Sequence, residues 1–86
     1  MEKKDFYKSL DFMKLGQAIQ KQNWQIASLT VRRMENMAKD LEITEFEKNF
    51  ASLRQCINRR EKNSAQQVLS IMVNKRAAYL NYQKIK

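Results

Sequence analysis

"WQIASLTVRRMENMAKDL", residues 24–41, decides the fold. Within it Trp24, Ala27, Val31, Met34, Ala38 and Leu41 step by 3, 4, 3, 4 and 3 residues. Residues three and four apart lie on one face of an α-helix, so these six form a continuous apolar stripe. The spacing predicts a helix over 24–41, with Asn23 placed to cap its first turn. A helix that is apolar on one face only must bury that face against other elements.

Three further stripes supply the partners. Phe12, Leu15 and Ile19, with Ala18 beside them, form one. Phe46, Phe50, Leu53 and Ile57 step by 4, 3 and 4. Ala65, Val68, Met72 and Tyr79 form the last, thickened by Leu69, Ile71, Val73 and Leu80. Phe6, Tyr7 and Leu10 are expected in a short extra turn packed on the bundle. "TEFE" (Thr44 to Glu47) and "SAQQ" (Ser64 to Gln67) both match a capping box, in which a Ser/Thr oxygen and a Glu/Gln side chain serve each other's backbone N–H groups. Helices are therefore predicted near 9–21, 24–41, 45–60 and 64–82. Short links between helices make neighbours antiparallel. The expectation is all-α: one domain over 1–86, an antiparallel up-down four-helix bundle with a short extra N-terminal helical turn.

A shift of 38 residues superposes "LGQAIQK" (15–21) on "LRQCINR" (53–59). The same shift pairs Ala27 with Ala65, Met34 with Met72 and Asn36 with Asn74. The repeat reads as one helical hairpin used twice, each copy burying the other's apolar face.

Composition narrows the chemistry. The 86 residues contain one glycine, no proline, one cysteine and no histidine. Few residues remain for tight hairpins, and nothing breaks a helix. Without histidine the commonest general base and the commonest metal ligand are gone. The lone Cys56, beside Ile57 on the inward side, reads as an inert buried thiol; it allows neither an internal disulfide nor a multi-cysteine zinc site. Trp24 reads as a core anchor near a bundle end, and the five methionines as gap-fillers. The acidic residues sit in polar contexts and are expected to be exposed, without the burial that tunes a general acid or base. There is no Gly-rich phosphate loop. No cofactor and no metal are expected. The N-terminus lacks the apolar run of a secretory signal, and no stretch approaches the roughly 20 apolar residues of a membrane span. A cytoplasmic setting away from membranes is expected.

The formal net charge is +8. Residues 1–47 carry eight Lys/Arg and eight Asp/Glu, so the excess lies entirely in residues 48–86, where nine cations meet Glu61 alone. Arg54, Arg59, Arg60, Lys62, Lys75 and Arg76 make a candidate basic patch, and Lys21 should reach the same end of an up-down bundle. Asp40, Glu42, Glu45 and Glu47 should gather at the opposite end, leaving the molecule electrically polar along its axis.

The spacing of "QAIQKQNWQIA", "RRMENMAKDL" (32–41) and "LRQCINRREKNSAQQVL" (53–69) resembles the histidine-containing phosphotransfer (HPt) domain, an antiparallel four-helix bundle. That family carries H-x-x-K-G on one helix. The superposition places Arg32 at the acceptor histidine, Glu35 at the lysine and Asn36 at the glycine. A guanidinium stays protonated and is no nucleophile, so the resemblance implies a member unable to transfer phosphate. It also implies a docking face at Arg32, Arg33, Glu35 and Asn36, met by the aspartate cluster of a receiver domain. On the residues themselves, Arg32, Glu35 and Asn36 share one face at i, i+3, i+4 spacing, where Arg32 can pair with Glu35.

The function expected is therefore a non-catalytic protein-interaction module, an adaptor, decoy or regulator in signalling with an acidic protein partner. The alternatives are a nucleic-acid-binding bundle using the basic second half, and a structural or self-associating helical protein.

Overall fold

Five helices follow one another in the computed structural model, which describes residues 1–85: α1 (Lys3–Tyr7), α2 (Asp11–Gln20), α3 (Trp24–Asp40), α4 (Glu47–Asn58) and α5 (Lys62–Ile85). Lys86, inside the domain expected over 1–86, lies outside the described residues. α2 packs on α3, α3 on α4 and α4 on α5, and α5 closes the ring against α2. This is the antiparallel four-helix bundle expected, with α1 laid over α3 and α5 at one end.

The 38-residue repeat is carried by the structure. Phe12 and Phe50, Leu15 and Leu53, Ile19 and Ile57, Ala27 and Ala65, and Met34 and Met72 are all buried at equivalent positions. α2 and α4 end at Gln20 and Asn58, and α3 and α5 begin at Trp24 and Lys62, each pair 38 residues apart. Two copies of one hairpin thus present the same apolar set to a common interior. Ala27 and Ala65 are fully buried and carry the smallest side chains at these positions, which suits a close approach of neighbouring backbones.

The helix ends depart from the expected caps. Asn23 does cap α3, its Oδ1 accepting from the Ile26 N–H at 3.3 Å. Neither capping box forms. α4 begins at Glu47 after Phe46, which has no side-chain cap, and α5 begins two residues before Ser64, leaving that serine inside the helix. The chain instead breaks its helices from the C-terminal side. α2, α3 and α4 each end with two backbone bonds that wrap the last turn. Asn23 N–H meets the Ala18 carbonyl, Ile43 N–H the Ala38 carbonyl and Glu61 N–H the Cys56 carbonyl, at 2.8–2.9 Å. Gln22, Glu42 and Arg60 then take positive φ values of 57°, 58° and 56°. That conformation costs a non-glycine residue about 1–2 kcal/mol, and three are tolerated because the wrapped carbonyls are satisfied.

One end of the interior is aromatic. Phe46 touches Phe6, Tyr7, Phe12 and Phe50, with ring centroids 5.6–6.2 Å apart. Tyr7 stacks on Tyr79 at 3.8 Å, its hydroxyl donates to the Glu45 carboxylate, and its carbonyl accepts from Arg76 Nε. α1 is therefore part of the core, although Leu10, expected with it, is exposed and precedes α2. Along α5, Leu69 is buried as expected, but Ile71 and Val73 point outward. They flank the fully buried Met72, each turned about 100° from it around the helix axis and so away from the interior. Trp24 and Leu41 are half-buried against the core rather than enclosed. Met34 and Met72 are buried gap-fillers, whereas Met13 is exposed.

Burial, then the hydrogen bond to Glu45, pushes the Tyr7 phenol well above its ordinary value of 10.0. The folded state then holds this proton more tightly than the unfolded chain. The stabilisation is complete below pH 10 and declines as pH rises past it, because only the unfolded phenol ionises there. Tyr7→Phe removes that dependence: denaturant titrations of the variant and the parent should converge as pH is raised from 9 to 11. Parallel curves across that range would contradict the assignment.

Candidate functional site

The turns after α2 and α4 bring cations together. Lys21 and Arg59 follow the last helical residues of α2 and α4, Arg60 holds the wrapped turn, and Lys62 opens α5. A Gln66 Nε2–Gln20 Oε1 hydrogen bond of 2.7 Å ties the start of α5 to the end of α2, fixing both turns at the same end. Among the described residues none of these four side chains makes a hydrogen bond or ion pair, and the only acid between them in the chain turn is Glu61. Like charges gathered at one end of the bundle raise the local positive potential and favour an anionic surface.

The other three members of the expected basic patch are used inside the molecule. Arg54 pairs with Glu35 across α3 and α4. Lys75 Nζ donates to the Glu45 carbonyl at 2.8 Å and to Asn49 Oδ1 at 2.9 Å, and lies 5.7 Å from the Phe46 ring centre. Arg76 lies over the Phe12 ring at 5.5 Å while it holds the Tyr7 carbonyl. The seven cations are therefore not one patch. Four are free at one end, one bridges helices, and two anchor α1 and the aromatic cluster.

The opposite end is mixed rather than acidic. Glu42 and Glu45 share a cleft with Lys3, and Lys4, Lys8 and Lys84 line a second one nearby. The axis thus runs from basic to mixed. Lys3 and Lys4 of α1, Lys8 just after it and Lys84 near the end of α5 make the difference.

The face at 32–36 is divided between two grooves. Arg32, exposed, lines a cleft between α3 and α4 with Glu35, Arg54 and Ile57. Glu35 pairs with Arg54 rather than with Arg32. Asn36, also exposed, borders the adjoining cleft with Glu35 and Arg54. Arg33 turns the other way, to α2. Its Nη2 reaches Asp11 Oδ1 at 2.7 Å and its Nε reaches Oδ2 at 3.1 Å, a two-point contact that fits the planar guanidinium. The hydrogen bond and the charge of Asp11 hold the Arg33 guanidinium still more firmly protonated. Asp11 is 6% exposed, against the expectation that the acids stay in solvent. It precedes Phe12 and stands four residues before Leu15, on the core-facing side of α2, and that spacing is the signal that could have found it.

Cys56 is buried, and burial raises its thiol pKa, reinforced by Glu61 and opposed by Arg59. A thiol so held is a poor nucleophile. Among the described residues no group of three or more Cys, Asp or Glu side chains could hold a metal ion, and no helix is long and apolar enough to cross a membrane.

No protein-family model, no curated protein and no solved structure matches this chain.

Proposed function

We propose that the chain is a non-catalytic interaction module that captures an acidic protein partner on its basic end. The observation that carries the reading is the set of Lys21, Arg59, Arg60 and Lys62, gathered by two antiparallel turns and left unpaired. Orienting four long cations on one end with Glu61 as their single acidic neighbour costs self-repulsion, which an anionic partner relieves. The resemblance to an HPt domain without its acceptor makes a receiver domain, with its aspartate cluster, a suitable partner, and a role as adaptor or decoy follows. Arg32 and Asn36 lie exposed on the α3–α4 side and extend the surface such a partner would meet. The absence of histidine and the raised pKa of the buried Cys56 support a non-catalytic role.

Charge reversal tests this. Arg59→Glu, Arg60→Glu and Lys62→Glu together should abolish capture of the partner from extracts of the native host, since each reversal replaces an attraction by a repulsion. Arg59 and Arg60 are exposed, Lys62 is half-exposed and none of the three belongs to the buried core, so the helical circular dichroism should not change. An unchanged set of captured proteins would overturn the reading. A mobility shift of nucleic acid at low salt that weakens steeply as salt is added, and is lost in the same triple variant, would replace the protein partner with a phosphate backbone.

A further inference from the structure

A groove runs between α2 and α3 on the side away from α4. Lys14, Ala18 and Lys21 form one wall, Ile26, Leu29 and Arg33 the other, and the cleft has a volume of about 310 Å³. Ile26 is 45% exposed and Leu29 53%. Single exposed apolar side chains are ordinary, so exposure alone decides nothing.

The internal repeat provides the control. Shifted by 38 residues, Ile26 falls on Ser64, Leu29 on Gln67 and Lys14 on Ser52. All three equivalents are exposed on the second hairpin, which folds in the same way. The fold therefore asks for no apolar side chain and no cation at these positions. The first hairpin carries both, the cation on α2 and the apolar pair on α3, and Ala18 and Thr30 of the same groove are buried. Thr30 spends its hydroxyl on the Ile26 carbonyl at 2.8 Å, so it offers the groove no unmet donor. At the far end Arg33 is already matched by Asp11. Among the described residues Lys14 and Lys21 make no hydrogen bond or ion pair, and they stand as two cations on the rim of an apolar floor.

We infer that the α2–α3 groove seats an acidic amphipathic helix of the partner protein, its apolar side chains on Ile26 and Leu29 and its carboxylates on Lys14 and Lys21. This rests on the reading of the chain as a module for an acidic partner, and adds where and how that partner is gripped. A helix laid along a helical hairpin presents side chains at i, i+3, i+4 and i+7 to the crevice. The spacing of Ile26 and Leu29 is the matching one-turn step. The net charge of +8 disfavours a second copy of this chain as the occupant.

The probe is a fluorescein-labelled helical peptide with leucines at i, i+3, i+4 and i+7 on one face and glutamates on the other, titrated with the full chain by fluorescence anisotropy. The key variant is I26S/L29Q, which installs the residues of the chain's own second hairpin and so should fold. Binding by the parent is expected, weakened roughly ten-fold or more in I26S/L29Q and several-fold in Lys14→Glu. The same peptide with glutamine for glutamate should bind less well. Any of three results overturns the inference: no binding by the parent, equal binding by I26S/L29Q, or a concentration-dependent dimer of the parent that I26S/L29Q abolishes. Lys14→Glu lies outside the basic end, so the two proposals separate. If the host partner is lost on reversing Arg59, Arg60 and Lys62 but retained by I26S/L29Q and Lys14→Glu, the module stands and the groove falls.

Discussion

Phe46→Ala should lower stability by about 3–5 kcal/mol, the range for removing a buried aromatic ring from a core. Phe46 is fully buried and is the hub of the aromatic cluster, touching Phe6, Tyr7, Phe12 and Phe50. Its ring also lies under the Lys75 ammonium. The loss has two parts: the transfer free energy of the ring, and the cavity left because the rings from α1, α2 and α4 around it cannot all close on it. A chain of this size has a total stability of roughly 5–10 kcal/mol, so the variant loses about a third of it or more. Thermal melts should move down by about 15–30 °C. Phe46→Leu, which keeps most of the volume, should move them far less. A shift of only a few degrees for the alanine variant would mean that the aromatic cluster is not where the fold is held.

Phe6→Ala should act differently although the ring is equally buried. The direct cost is again about 3 kcal/mol or more. A five-residue helix has no stability of its own, because nucleation is not repaid within one turn. α1 is held by Phe6, by Tyr7 on Tyr79 and by Arg76 on the Tyr7 carbonyl. With Phe6 gone, the cheapest response is for α1 to detach while the four long helices persist. Trypsin should then cut after Lys4 and Lys8 much faster than in the parent, with most of the helical circular dichroism retained. If the tryptic pattern does not change while the melt falls, α1 stays docked and the loss is a plain cavity. If neither changes, α1 does not belong to the core.

The two variants separate what the fold needs from what the surface does. Neither touches Lys21, Arg59, Arg60 or Lys62, which lie at the other end of the bundle. Binding by the folded fraction of each should therefore be that of the parent.

Much of the architecture was legible in the residues. The 3–4 spacing from Trp24 to Leu41, the parallel stripes on the other segments and the 38-residue repeat together required helical hairpins that bury one another's faces. This works because helix periodicity is local, a matter of side chains 100° apart around one axis. The helix starts were less legible. "TEFE" and "SAQQ" fit a capping box, yet the breaks are made by backbone bonds at Gln22, Glu42 and Arg60. Those residues have no special signature, since their left-handed conformation is imposed by packing and not by a missing Cβ.

Sequence alone determined the helical class, the antiparallel hairpins, the identity of most of the core and the absence of an imidazole. Only the tertiary structure decided which charges are free. Arg32 and Arg33 are neighbours in the chain, but 100° of rotation sends one toward α4 and the other to Asp11 on α2. Arg54, Lys75 and Arg76 looked equivalent to Arg59 and Arg60, and became structural because Glu35, Asn49 and the Tyr7 carbonyl stand within reach. The physical reason is one of range: burial follows from spacing along a single helix, whereas the fate of a charge depends on which neighbouring helix brings an opposite charge or a carbonyl to within about 3 Å.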